Sequence, residues 1–113
     1  MCYASASVSA QDFDAAKTES LALAYSGLGL VLLRKGNYAQ AIPDLEKATN
    51  MDPKHDPTNY YLLGVANQNS MHYDAAVAAF THCASLPGNL QETCKSAAEK
   101  AKKDAAPAAP ASK

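Results

Sequence analysis

The sequence predicts an all-α fold, a solenoid of helical hairpins with about five helices, because the chain repeats itself. Two sets of residues, displaced by 35 positions, are identical or closely matched in size. The first set is Tyr25, Leu28, Gly29, Tyr38, Ala41, Leu45 and Ala48, and the second is Tyr60, Leu63, Gly64, Tyr73, Ala76, Phe80 and Cys83. Self-similarity at a period of about 30 to 50 residues is typical of stacked supersecondary units.

Each copy has the pattern of two helices joined by a tight turn. In the first copy, Gly36 and Asn37 supply the turn between a leading apolar segment and a second one. Ala41, Leu45 and Ala48 then recur at i, i+4 and i+7, which is the apolar stripe of a helix. Each copy is therefore predicted to form one helical hairpin.

This pattern resembles the tetratricopeptide repeat (TPR) family. The first copy matches the family pattern at Tyr25, Leu28, Gly29, Leu32, Gly36, Tyr38, Ala41, Leu45, Ala48 and Pro53. The second copy departs from it at Asn67, where a larger residue is usual, at Met71 in place of the turn glycine, and at Cys83 in place of alanine. The family spacing is about 34 residues. The segment 50–58, which holds two prolines, is predicted to contain the one added residue.

The repeat register divides the chain into five predicted segments. They are an N-terminal extension with the start of the first helix (1–20), the first repeat (21–55), the second repeat (56–88), a capping helix (89–104) and a disordered Ala/Pro tail (105–113). The capping helix is interpreted as a degenerate third copy, with small apolar residues on one stripe and lysines and glutamates toward water. Residues 1–12 lack the pattern of a secretory signal. Two interpretations stay open: a complete short protein, or a fragment of a longer repeat protein with an exposed N-terminal face.

Composition argues against several functions. The chain has 10 basic and 11 acidic residues and a formal charge of -1, so no nucleic-acid partner is expected. No run approaches the roughly 18 apolar residues of a membrane span. His55, His72 and His82 are dispersed, and no nucleophile stands in a recognisable catalytic pattern. We therefore expect neither an enzyme nor a cofactor or metal site.

Two cysteines are predicted to meet. Cys83 lies near the end of the second repeat, Cys94 lies on the next helix, and residues 86–89 form a strong turn that makes these helices antiparallel neighbours. The favoured hypothesis is a disulfide that joins the cap to the stack. The alternative is two buried thiols that replace alanine in a reducing compartment. A disulfide would favour an oxidising location, such as the bacterial periplasm.

The resemblance also implies where a partner binds. In TPR proteins the first helix of each repeat lines a concave groove. The corresponding residues are Leu23, Ser26, Leu30, Leu33, Arg34, Thr58, Tyr61, Val65, Gln68 and Asn69. Tyr61 is expected to face the groove, since its neighbour Tyr60 takes the packing position. Ser26 and Leu30 stand where carboxylate-clamping TPR modules carry Lys and Asn, so recognition of chaperone tails is not expected.

Two functions remain from this reasoning. The first is a protein-interaction module that binds a peptide or partner segment in the groove. The second is a structural element that assembles with further repeats or as a homo-oligomer. In a competing interpretation of the groove, Leu23, Leu30 and Leu33 are covered by residues 1–20 or by another protomer.

Overall fold

The structure, a computed structural model, describes residues 10–106, and all the regular secondary structure in this range is helical. From the N-terminus the helices are α1 (Ala10–Arg34), α2 (Tyr38–Met51), α3 (Pro57–Asn69), α4 (Tyr73–Ser85) and α5 (Gln91–Ala105). Each helix packs mainly against the next one in the chain, and α1 also touches α3. The predicted all-α helical-hairpin solenoid is confirmed.

Both hairpins turn with the same backbone geometry. Gly36 in the first hairpin has φ 79° and Met71 in the second has φ 63°, so both lie in the left-handed region. In each turn the amide after this residue donates to the carbonyl five residues back at 2.8 Å. This arrangement is a Schellman motif, which satisfies the last carbonyls of the first helix and reverses the chain.

A glycine in each first helix allows the two helices of a hairpin to approach closely. A Cβ atom added to Gly29 would lie 2.5 Å from Cγ of Leu45, and one added to Gly64 would lie 2.5 Å from Cε1 of Phe80. Leu45 and Phe80 are both buried. The Leu-Gly signal therefore marks the place where the large residue of the second helix crosses the first.

The core runs along the stack in two clusters. The first is formed by buried Ala41, Leu45 and Ala66, with Leu33 and Leu63 among the residues packed against it. The second is formed by Ala76, Phe80, Ala98 and Ala101, with Tyr61, Val65, Val77 and Ala97 packed against it. Because α5 contributes to the second cluster, it covers the C-terminal side of the second hairpin.

The link between the hairpins, residues 52–56, is organised by one buried carboxylate. Asp52 accepts hydrogen bonds from the amides of Lys54 at 2.9 Å and Asp56 at 2.8 Å, and from the Asn59 side chain at 3.3 Å. Asp56 in turn caps α3 by accepting from the Thr58 amide at 2.9 Å. These bonds hold the link against the start of α3.

Both ends of the described chain are helical. α1 is 25 residues long and begins at Ala10, within the segment 1–20 where the start of the first helix was predicted. α5 ends at Ala105, where the predicted tail begins. Predictions for residues 1–9 and 107–113 lie outside the described residues. Within residues 10–106 no helix combines the length and the apolar character that a membrane span requires.

Candidate partner-binding groove

The predicted groove residues of the first repeat differ in exposure. Leu23 and Arg34 are exposed, and the Leu23 side chain is 68% accessible. Ser26, Leu30 and Leu33 are half-buried, and Leu33 packs against the first core cluster. Residues 10–20 continue α1 and leave Leu23 uncovered. Leu23 and Arg34 are therefore the open groove positions of the first repeat in the described part of the chain.

Three of the five predicted groove residues of the second repeat are engaged by other parts of the stack. Tyr61 and Val65 are half-buried against the second core cluster, and the Tyr61 ring centroid lies 5.9 Å from that of Phe80. Gln68 donates a hydrogen bond to Asp104 of α5. The Tyr61 ring is therefore less accessible to a partner than its position in the repeat predicted.

The two polar residues at the ends of α3 are exposed. Thr58 stands in its first turn. The side-chain amide of Asn69 donates a hydrogen bond to the Val65 carbonyl of the same helix at 2.9 Å. Thr58 is therefore the second-repeat position most available to a partner.

A cavity of about 420 Å³ lies between α1 and the link to α3. Its lining residues are Glu19, Ala22, Leu23, Ser26, Asp52, Lys54, Asp56, Thr58 and Asn59. Three predicted groove residues, Leu23, Ser26 and Thr58, meet there, and the other seven do not line it. Sequence reasoning missed the link residues because their side chains reach the cavity only when the link folds back along α1.

A chain of polar side chains joins α1 to α3 in the lining of this cavity. The Ser26 hydroxyl donates to the Asn59 side-chain carbonyl at 2.6 Å, and the Asn59 amide donates to Asp52. Asn59 and Asp52 are both buried. These bonds couple α1 to α3 across the hairpin boundary and hold the cavity in one shape.

The rim of the cavity is acidic. Lys54 forms an ion pair with Glu19 at 2.9 Å, and the hydrogen bond and charge of this carboxylate raise the pKa of the Lys54 ammonium. Asp52 and Asp56 add two further carboxylates beside that pair. Three carboxylates against one ammonium leave the cavity with a negative formal charge, which favours a cationic group.

A second, smaller cavity of about 250 Å³ lies between α2, α3 and α4. Here Tyr60 stacks on His82 with ring centroids 3.9 Å apart, so the exposed histidine covers an aromatic ring. Burial, together with the charge of Asp52, raises the pKa of the Tyr60 hydroxyl. None of the predicted groove residues lines this cavity.

The two cysteines of the predicted disulfide are adjacent. Cys83 and Cys94 are buried, their sulfur atoms are within bonding contact, and their Cα atoms lie 5.8 Å apart. This Cα separation is normal for a bridged pair. We propose that the two residues form a disulfide between α4 and α5.

The fold and the cavity together define a helical-repeat protein in which the first helices of successive hairpins share one side of the stack. The chain belongs to the tetratricopeptide repeat family. Two family models, each described as a tetratricopeptide repeat, match residues 22–55 and 57–89, which together make up more than half of the chain. No curated protein and no solved structure matches the sequence. Repeats of this family generally mediate protein–protein interaction.

Proposed function

We propose that this protein binds an extended segment of a partner protein along α1 and α3, anchored at the cavity between α1 and the inter-repeat link. The observation that carries the proposal is the convergence of Leu23, Ser26 and Thr58 at this cavity. Leu23 offers an open apolar surface beside hydrogen-bonding groups, a combination typical of pockets that receive one side chain of a peptide.

The charge of the cavity specifies the side chain that it takes. Apolar Ala22 and Leu23 stand beside the carboxylates of Asp52 and Asp56. Lysine and arginine combine an apolar stem with a cationic end, so either can bury its stem and direct its charge to the acidic rim. We therefore propose that the partner segment carries a lysine or arginine at its anchor position.

The test uses a random peptide library displayed on phage and selected against the full chain. Enriched peptides are synthesised, and their affinity is measured by fluorescence anisotropy for wild type and variants. Leu23→Ala should weaken binding about tenfold, which is a loss of about 1.4 kcal/mol. The matched control is Leu28→Ala, another exposed leucine on a different face of the same helix, and it should leave the affinity unchanged.

The charge element has its own variant. Asp56→Asn keeps an amide oxygen for the cap of α3, since Asn and Asp cap helices equally well, but removes one carboxylate. This variant should bind peptides that contain a lysine or arginine more weakly than wild type does. Its affinity for the same peptides with norleucine in place of the basic residue should be unchanged. Equal losses for Leu23→Ala and Leu28→Ala, or enriched peptides without a basic residue, would contradict the proposal.

A further inference from the structure

One face of α1 is apolar, exposed and without a neighbour in the described part of the chain. Its residues recur every three or four positions, so they lie on one side of the helix. We name this face the outer stripe, and its members are Phe13, Lys17, Leu21, Ala24, Leu28 and Val31. Four of its side chains are among the six large apolar residues exposed within residues 10–106. A contiguous apolar face of this kind marks an interaction surface.

The repeat register shows that the outer stripe is a packing face. Leu28 is 54% accessible, whereas Leu63, its counterpart in α3, packs against the first core cluster. Val31 is 51% accessible, whereas its counterpart Ala66 is fully buried. Residues at these positions of α3 contact the preceding hairpin, and α1 has no such hairpin before it in the described chain. The outer stripe is therefore a surface suited to packing against another helix, and residues 10–106 contain no helix at that place.

The C-terminal end of the stack does not match the outer stripe. The outer side of α5 carries Lys95, Glu99 and Lys102, all exposed, while its apolar residues face α4. A head-to-tail contact would place these charges on Leu28 and Val31, at a desolvation cost that the ion pairs Lys95–Glu92 and Lys102–Glu99 offset only in part. A contact of the stripe with itself lowers this cost, because an isologous interface uses the same patch on both copies and Lys17 is the one charged residue of the stripe.

The charges of α1 select the orientation of such a pair. Asp14 lies near the start of the helix, and Arg34 and Lys35 lie at its end. An antiparallel pair that crosses near Ala24 sets Asp14 of each copy opposite Arg34 and Lys35 of the other. A parallel pair would instead place like charges together at both ends. The small Ala24 side chain allows the two helices to approach closely at the crossing point.

We propose that the outer stripe binds a second copy of this chain, with the two α1 helices antiparallel. The contact extends over about 27 Å of helix from Phe13 to Val31. It leaves the cavity free, since Leu23 is not part of the stripe. The dimer therefore has two separate partner-binding cavities, and it does not depend on the proposed function.

The oligomeric state of the full chain tests the proposal. Light scattering coupled to size-exclusion chromatography should give twice the chain mass of 11.9 kDa. Leu28→Glu should convert the dimer to a monomer with an unchanged circular dichroism spectrum, because residue 28 is exposed within one copy. The matched control is Met71→Glu, at a 72% accessible apolar residue outside the stripe, which should stay dimeric.

Three outcomes would overturn the proposal. They are a monomeric wild type over a wide concentration range, a Leu28→Glu variant that remains dimeric, and a dimer that forms only after deletion of residues 1–9. The last would show that this segment covers the stripe in the full chain.

Cross-linking tests the orientation. In a Cys2→Ser background, a mixture of Asp14→Cys and Lys35→Cys chains should form a mixed disulfide dimer on mild oxidation. Asp14→Cys alone should not cross-link, and neither should Ala39→Cys, an exposed position on α2. Efficient cross-linking of Asp14→Cys with itself, without the mixed product, would contradict the antiparallel arrangement.

Discussion

The two hairpins have nearly the same internal structure but different surroundings. Both have a Schellman turn, and both have a glycine in contact with the large residue of the second helix. The second hairpin lies between α2 and α5, whereas within residues 10–106 the first has a neighbour on one side only. As a result Leu28 is exposed and its counterpart Leu63 is packed. The burial of a repeat residue is therefore set by the hairpin next to it as much as by its own sequence.

The two hairpins also have different residues at equivalent positions of their turns and cores. The left-handed turn position holds Gly36 in one and Met71 in the other. The last buried apolar position of the second helix is Ala48 in the first hairpin and Cys83 in the second. These substitutions allow the contribution of each position to be measured within one molecule.

The largest effect is expected at the cysteines. Replacing Cys83 and Cys94 together with alanine gives the second hairpin the residue that the first has at Ala48. If the proposed disulfide closes this short loop, its loss should lower the free energy of unfolding by about 3 kcal/mol. Urea denaturation with and without reductant measures this, and the double variant should no longer respond to reductant.

A thiol count provides the independent check of the bridge. Denatured, unreduced wild type should show one free thiol, that of Cys2. Three free thiols would show that Cys83 and Cys94 are reduced and that α5 is held to α4 by packing alone.

The next largest effect separates the two leucines of the Leu-Gly signal. Leu63→Ala should lower the free energy of unfolding by about 2 kcal/mol, since it removes packed methyl groups from the core. Leu28→Ala should cost less than about 0.5 kcal/mol under conditions where the protein is monomeric, because the side chain is exposed there. Equal losses in monomeric protein would mean that residues outside 10–106 cover α1.

The turn residues should respond in opposite directions. Met71→Gly should raise the free energy of unfolding by about 1 kcal/mol, because glycine adopts a positive φ without the steric cost of a side chain. Gly36→Ala should lower it by a similar amount for the same reason. Thermal denaturation of both variants tests this, and a loss of stability in Met71→Gly would show that the Met71 side chain contributes packing that outweighs its strain.

The smallest effect concerns the contact of α3 with α5. Lys100 donates to Asp104 at 2.9 Å, and this bond, aided by Gln68, holds the pKa of the Asp104 carboxyl below its ordinary value. A carboxyl whose pKa is lowered by folding stabilises the fold above its unfolded pKa, and this contribution is lost as the pH falls through its folded pKa. The first hairpin has Leu33 where the second has Gln68, so the contribution of Gln68 to this pH dependence has no counterpart in the first hairpin.

Asp104→Asn should therefore be slightly less stable than wild type near neutral pH, and the difference should disappear below about pH 4. Urea titrations over this pH range measure the difference. It should also shrink in high salt, because the groups involved are exposed. A difference that persists at low pH would show that the carboxylate charge is not its cause.

The sequence predicted the hairpins because their determinants are local. Glycine at a turn and apolar residues at helical spacing depend only on near neighbours along the chain, and the 35-residue displacement showed them twice. The sequence placed the start of the first helix only within residues 1–20, and α1 begins at Ala10. The adjacency of Cys83 and Cys94 followed from one short turn between two helices.

The cavity was only partly predictable. Leu23, Ser26 and Thr58 were identified by register, but their partners Asp52 and Asn59 meet them only after the link folds against α1. The accessibility of Tyr61 also depended on packing that no local pattern records, since α4 and α5 cover part of its ring.

The sequence by itself thus determined the type of fold, the register of the two repeats and the residues of each hairpin, because helix periodicity and turn chemistry are properties of short segments. Only the tertiary structure decided which equivalent positions are covered and which are open. That distinction depends on how the hairpins stack. Among the residues that the structure describes, stacking left the outer stripe of α1 without a neighbour and formed the acidic cavity beside Leu23.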